Sequence, residues 1–268
     1  MLVFRAPQRT GFELTWSVFG IRFRVLPSFF LFSALLAWIF IRPFFPDTRT
    51  LLVGIAVDVA CIFLALAFTE FVQGLVYKSY GLRSTVVIQE LGGGIYPEAE
   101  PPLRIQRIVV ALSSPASSFL LFALVYYSNQ EYAWRDLSPY ASFAYLILYV
   151  ITLFWGIIGF LPIFPYPGGR VMLEVLTFFS PRYGIQLTLV ISILLGLVLL
   201  VDTALLLVRN ESYIPFLNQL HPYTRILLAV FFALATIRNW QLLQSLRYRE
   251  PAYRTDADEY DDRRPWER

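Results

Sequence analysis

The sequence has few of the residues that carry charge or bind metals. Its 268 residues include one histidine, His221, and one cysteine, Cys61, and only 15% are charged. A lone cysteine excludes an intrachain disulfide. A soluble domain has about a quarter of its residues charged. The low charge therefore argues against an ordinary soluble domain.

Long apolar runs are what the sequence has instead. Hydrophobic residues make up 57% of the chain, and its mean hydropathy is +0.58. Runs near twenty residues are long enough to cross, as helix, a hydrocarbon core about 30 Å thick. We predict an all-α polytopic membrane protein with about six transmembrane helices. These lie near residues 26–45, 51–77, 105–127, 139–161, 185–208 and 224–243.

The rest of the chain flanks one transmembrane domain, residues 26–243. Residues 1–25 are polar and arginine-bearing with no cleavage site after the first apolar run, which predicts a signal-anchor and a cytoplasmic N-terminal segment. The tail, 244–268, is rich in both charge signs and is predicted to be disordered. Arginines beside the spans favour both termini in the cytoplasm. We expect a multi-pass integral membrane protein.

Two segments differ from ordinary loops. Residues 84–96, STVVIQELGGGIY, are β-prone, contain three glycines and lack the charge of a solvated linker. They predict a short membrane-associated hairpin or re-entrant element, because non-helical backbone at membrane depth must be covered by protein. Residues 162–184 combine a proline-glycine turn with an apolar stretch of about ten residues, too short to span.

One carboxylate lies where a membrane helix is expected. Glu70 is part of LALAFTEFVQGLVYKSYGL, with Thr69 before it and Gln73 three residues after it. A charged group in a membrane span is costly and is commonly functional. Thr69 and Gln73 share one helix face, and Asp58 is near the same stripe. Two interpretations remain open: a neutral, hydrogen-bonded interior residue, or a group that binds a polar group of a partner helix.

The order of four motifs resembles the site-2 proteases, a family of intramembrane zinc peptidases. TEFVQ and its exit YKSYGL correspond to the family's HExxH helix, and GIRFRVLPSFFLF resembles the lead into its first core span. LGGGIYPE is similar to the family's membrane-associated sheet. VVALSSPASSFLLF resembles its alanine-glycine-proline helix start, and GFLPIFPYPGGR resembles its NxxPxxPLDGGR motif. The resemblance covers roughly residues 18–205 and implies a site-2-protease-like core.

The departures from the family pattern fall on the metal ligands. The two histidines of HExxH correspond to Thr69 and Gln73, the aspartate ligand to Pro167, and the motif asparagine to Gly159. Only the general-base glutamate is kept, as Glu70. Catalytic zinc requires imidazole, thiolate or carboxylate ligands and lowers the pKa of its bound water toward 7. The resemblance therefore implies degenerate ligand positions, a vestigial general base and no expected cofactor.

Other residues of the chain offer little alternative chemistry. His221 is in a turn before the last span, and Asp58 is about 18 Å along a helix from Glu70, so neither is a natural substitute ligand. A dyad of Lys78 with Ser113 or Ser114 has no supporting spacing. A transporter is disfavoured because no pair of broken spans with facing charges repeats.

The resemblance implies an inactive protease-like protein that binds or regulates a transmembrane client. An active intramembrane metallopeptidase with non-standard ligands, and then zinc, is the alternative. The implied partners are a transmembrane protein or helix and membrane lipid, with no nucleic acid. The glycines could permit tight turns or line a client groove, whose candidates are Gly92, Gly93, Gly94, Gly168 and Gly169.

Overall fold

A computed structural model describes residues 11–42, 45, 47–89, 92–209, 214 and 222–258. Its strands are β1 (Leu14–Val18), β2 (Ile21–Val25), β3 (Ser84–Gln89) and β4 (Gly92–Pro97). Its α-helices are α1 (Pro27–Ile41), α2 (Thr48–Ser79), α3 (Arg104–Tyr132), α4 (Pro139–Phe160), α5 (Pro167–Phe179), α6 (Gly184–Arg209) and α7 (Pro222–Asp258). Trp134–Leu137 form a short 3₁₀ helix between α3 and α4.

Four of the described helices, α2, α3, α4 and α6, are long and apolar enough to cross a membrane. The prediction of an integral membrane protein with several spans is confirmed at that level. The count of six spans is not confirmed, because α1 has only 15 residues. The apolar stretch after the proline-glycine turn forms α5, whose 13 residues are too few to span.

Clear signals define both ends of α2. The Asp47 side chain accepts hydrogen bonds from the backbone N–H groups of Arg49 and Thr50, at 3.1 and 3.2 Å, and so caps the helix start. At the other end Gly81 has a φ of +75°, and its N–H donates to the Lys78 carbonyl. Leu82 N–H donates to the carbonyl of Tyr77. These paired bonds are a glycine-terminated helix stop.

The β element is larger than predicted. Residues 84–96 contain the expected antiparallel hairpin, β3 with β4. The N-terminal segment, predicted only as a cytoplasmic extension, also contributes strands: β1 pairs antiparallel with β2, and β2 pairs parallel with β3. The four-stranded sheet has the order β1-β2-β3-β4, so β4 is an edge strand.

An ion pair fixes the N-terminal strands. Arg24 on β2 is 6% exposed, and its guanidinium donates two hydrogen bonds to the Glu13 carboxylate, at 2.8 and 2.9 Å. This hydrogen bonding raises the pKa of the Arg24 guanidinium. The two charges satisfy each other at a buried position, as buried ions require.

The chain forms two compact units. The first contains residues 1–161 and 166–174, and its core joins the sheet to α2. Alternate residues of β2 and β3 are buried there with Phe29, Leu66 and Tyr77. Aromatic contacts extend this core, including the ring of Trp16 against Phe63 at 6.2 Å.

The second unit contains residues 162–165 and 175–268. A Cβ atom at Gly196 of α6 would collide with the Thr236 side chain of α7, so the two helices pack closely there. Asn239 Nδ2 donates to the Phe164 carbonyl at 2.6 Å, and the Phe164 N–H donates to Ser192 Oγ at 2.9 Å. These bonds tie the short segment 162–165 to both helices.

The segment predicted to be a disordered tail contains the end of a helix. The backbone of α7 is helical to Asp258, and so extends into residues 244–268, which were expected to be disordered. Residues 259–268 lie outside the described part of the chain. The domain boundaries and the side of the membrane on which the termini lie stay predictions.

Candidate functional site

The buried face of α2 carries the candidate site. Buried residues recur along this helix at Asp58, Thr69, Glu70, Gln73 and Tyr77, among others. Steps of three and four residues place such positions on one stripe of a helix. The predicted stripe through Thr69 and Gln73 is therefore buried inside the first unit.

Glu70 lies against the backbone of the edge strand β4. The residue is 7% exposed, and its Oε2 atom has no hydrogen-bond partner among the described residues. A Cβ atom at Gly93 would lie 2.6 Å from Glu70 Cγ, which is closer than side chains approach. Only glycine fits at position 93 with Glu70 in this conformation. Gly93 and Glu70 therefore form one packed feature.

Arg170 on α5 supplies positive charge near Glu70, and the two groups interact electrostatically. Tyr77, about two turns farther along α2, also lies within electrostatic range of both. Neither Arg170 nor Tyr77 was predicted as a site residue. The glycine pair before Arg170 was the available clue, because it starts a helix that points back into this unit.

Thr69 and Gln73, which the sequence resemblance aligns with the family's histidines, make ordinary protein hydrogen bonds. Thr69 Oγ1 donates to the Leu66 carbonyl of its own helix at 3.0 Å. Gln73 Nε2 donates to the Val110 carbonyl of α3 at 2.9 Å, and so joins the two helices. Both side chains are buried.

Helices α3 and α4 cross closely beside this face. A Cβ atom at Gly159 would lie 2.7 Å from Pro115 Cβ, and one at Gly156 would lie 3.0 Å from the ring of Phe119. A side chain at position 159, where the family motif has asparagine, would displace Pro115. Gly159 is therefore explained by helix packing.

The start of α5 is held in two ways. A Cβ atom at Gly168 would lie 2.5 Å from the Leu161 carbonyl oxygen, so the turn after α4 requires glycine. Gly169 is buried as well. On the other side of α5, the Glu174 carboxylate accepts two hydrogen bonds from the Arg107 guanidinium, at 2.7 and 2.9 Å. This bidentate pair joins α5 to the start of α3.

The residues at the ligand positions do not fit a zinc ion. Threonine and glutamine donate here to backbone carbonyls, and Pro167 has no side-chain donor atom. A catalytic zinc site needs three ligands from imidazole, thiolate or carboxylate. Within the described residues, no group of three His, Cys, Asp or Glu side chains could hold a metal ion. The expectation that the chain has no cofactor stays a prediction.

The other predicted residues lie apart or outside the described chain. Asp58 is buried on the same continuous helix as Glu70, twelve residues earlier. His221 lies outside the described residues. Lys78 Nζ donates to the Phe19 carbonyl at 2.6 Å, while Ser113 Oγ donates to the Val110 carbonyl at 2.7 Å. Each member of the proposed dyad thus has a different partner.

The remaining groove candidates belong to β4. Gly92 has a φ of +134°, and a Cβ atom there would lie 4.0 Å from the ring of Trp155, whereas a Cβ atom at Gly94 would make ordinary contact with Tyr96, at 3.4 Å. The assignment of Gly92, Gly93, Gly94, Gly168 and Gly169 to a client groove stays a prediction.

The fold is similar to that of a solved intramembrane protease. The structure titled "Site-2 Protease from Methanocaldococcus jannaschii" matches with a TM-score of 0.54 and 17% sequence identity, over 87% of this chain and 95% of that one. No protein-family model and no curated protein sequence matches the chain. The comparison confirms the predicted site-2-protease-like fold.

Proposed function

We propose that this chain, an integral membrane protein with a site-2-protease-like fold, is an inactive relative of those proteases that binds a transmembrane client. One observation carries the proposal. Of the three positions that the resemblance assigns to zinc ligands, Thr69 and Gln73 donate hydrogen bonds to backbone carbonyls and Pro167 has no side-chain donor atom, whereas the general-base position keeps a buried carboxylate. Without a metal, that carboxylate does not activate water for peptide hydrolysis at useful rates.

The edge strand β4 supports a binding role. Among the described strands, β4 has a hydrogen-bonded neighbour on one side only, and it starts with three glycines. An exposed edge can accept an extended peptide as a further strand. Glu70 lies directly behind Gly93 and has an oxygen without a partner, which a polar group of a client could satisfy.

Site-specific photo-cross-linking in the native membrane tests this function. A photoreactive phenylalanine analogue replaces Tyr96 on β4, and the same analogue at exposed Leu52 on α2 serves as the matched control. We expect a discrete membrane-protein adduct from position 96 only. Glu70→Ala should weaken this adduct, and the captured client should keep its full length. Equal labelling from both positions would contradict client binding at β4.

An active intramembrane peptidase is the second candidate. It is favoured by the fold and by the burial of Glu70 beside Arg170. The cross-linking experiment separates the two functions, because an active enzyme would shorten its client with time and Glu70→Gln would stop the cleavage. Time-dependent, Glu70-dependent cleavage would overturn the inactive assignment.

A further inference from the structure

A cavity of about 370 Å³ lies at the C-terminal end of α2, separate from Glu70. Lys78, Arg83 and Ser84 line it, together with Gly20 from the turn between β1 and β2. Its volume is within the range of about 300–1,000 Å³ that is typical of small-molecule sites. Lys78 is the only lysine in the chain, against twenty-one arginines.

Two cations at this cavity form no ion pair with a carboxylate of the described residues. Neither Lys78 nor Arg83 takes part in the ion pairs formed within the described residues. Lys78 Nζ donates one hydrogen bond to the Phe19 carbonyl, and this bond fixes the ammonium beside the β1–β2 turn. An ammonium has three N–H groups, so two remain for another acceptor. Glu98 donates its backbone N–H to the Arg83 carbonyl, but their side chains form no ion pair.

Ser84 adds a buried hydroxyl. The residue is 7% exposed, and its Oγ has no hydrogen-bond partner in the described part of the chain. A buried polar atom without a partner costs free energy, and a ligand oxygen that accepts a hydrogen bond from this hydroxyl removes that cost. Two cations and one hydroxyl are the donors that a phosphate group takes.

The position of the cavity favours a lipid as the source of the phosphate. α2 is one of the four helices able to cross a membrane, and it ends at Ser79, one residue after Lys78. The arginine distribution predicts that this end is cytoplasmic, where anionic lipids concentrate and attract Lys and Arg.

We propose that this cavity binds the phosphate of an anionic phospholipid headgroup through Lys78, Arg83 and the Ser84 hydroxyl. Lys78 also complements the negative end of the α2 dipole. Charge complementation of the helix does not involve the Ser84 hydroxyl. The effect of Ser84→Ala on lipid binding therefore distinguishes a phosphate site from simple charge complementation.

Native mass spectrometry of the full chain in mild detergent tests the site. The added probes are phosphatidylglycerol, phosphatidylcholine and inorganic phosphate. We expect one retained phosphatidylglycerol, in preference to phosphatidylcholine, and displacement by a large excess of inorganic phosphate. Ser84→Ala and Arg83→Gln should each weaken retention about tenfold, the effect of one hydrogen bond to a charged group. Ser84→Ala should leave the thermal midpoint unchanged or raised, because the hydroxyl has no protein partner.

Arg182→Gln is the matched control, since it removes an exposed cation that does not line the cavity. Its lipid retention should equal that of the unmodified chain. Unchanged retention in either Ser84→Ala or Arg83→Gln, or an equal loss in Arg182→Gln, would overturn the proposal. If the chain binds inorganic phosphate but does not retain phosphatidylglycerol, the proposal that the phosphate belongs to a lipid is overturned. If Ser84→Ala fails to fold, the phosphatidylglycerol retention of Arg83→Gln decides whether the proposal stands.

Discussion

The backbone of Gly93 packs directly on the side chain of Glu70: a Cβ atom at position 93 would lie 2.6 Å from Glu70 Cγ and 2.9 Å from its Oε1. The edge strand β4 and the spanning helix α2 therefore fit each other only if residue 93 has no side chain. This contact links the carboxylate that the sequence resemblance aligns with the family's general base to the glycines of the β4 edge.

Gly93→Ala should be destabilising because its methyl group would overlap Glu70. We expect the free energy of unfolding to fall by about 1–3 kcal/mol, the usual cost of overpacking. Titration with SDS in mixed micelles measures it. Gly94→Ala is the matched control, because its Cβ atom would meet the Tyr96 ring at 3.4 Å, an ordinary contact distance.

A double variant separates this collision from a backbone effect. Glu70→Ala removes the atoms that the new methyl group would meet, so Gly93→Ala should cost little in that background. A Gly93→Ala cost of the same size with and without Glu70 would contradict the packing account.

Gln73 should contribute more stability than Thr69, although the sequence resemblance aligns both with metal ligands of the family. Gln73 bonds the Val110 carbonyl of another helix, whereas Thr69 bonds a carbonyl of its own helix. Gln73→Met should lower the free energy of unfolding by about 0.5–1.5 kcal/mol, the net value of one hydrogen bond. Thr69→Val should have a smaller effect in the same micelle titration. The reverse order would show that the two contacts are misassigned.

The Arg107–Glu174 pair should hold α5 against α3. Its side chains are 21% and 17% exposed, and its two hydrogen bonds are short. Glu174→Gln should lower the free energy of unfolding by about 1–2 kcal/mol, since it breaks a partly buried charge-assisted pair.

Asp136→Asn is the matched control for this pair. The Arg135–Asp136 pair is 52% and 69% exposed and has one contact at 3.4 Å. Exposed pairs of this kind contribute little, about 0–1 kcal/mol. Equal losses in Asp136→Asn and Glu174→Gln, measured by thermal unfolding in mild detergent, would contradict the role given to the bidentate pair.

The spans and the β3–β4 hairpin could be predicted because their signals are local. Apolar runs of the required length identify α2, α3, α4 and α6, and the glycines of residues 84–96 mark a hairpin. The second span was predicted near 51–77, and α2 extends over Thr48–Ser79, with Gly81 close after its end. Each of these features depends on neighbours in the sequence.

The N-terminal strands and the partners of Glu70 could not be predicted in the same way. β2 pairs with β3 across some sixty residues, and no local pattern announces such a partner. The residues of β2, IRFRV, do alternate apolar side chains with arginine, but the burial of Arg24 against Glu13 depends on the tertiary fold. The contact of Gly93 with Glu70 similarly joins elements whose approach only the tertiary fold determines.

Metal content tests the central claim most directly. The full chain is purified in mild detergent, loosely bound ions are stripped, and zinc is counted per polypeptide, alongside the triple variant Thr69→His, Gln73→His, Pro167→Asp. The account predicts no zinc in the unmodified chain and one zinc in the triple variant, which restores the ligand types of the family motif. One zinc per unmodified chain, lost on Glu70→Ala or His221→Ala, would contradict it.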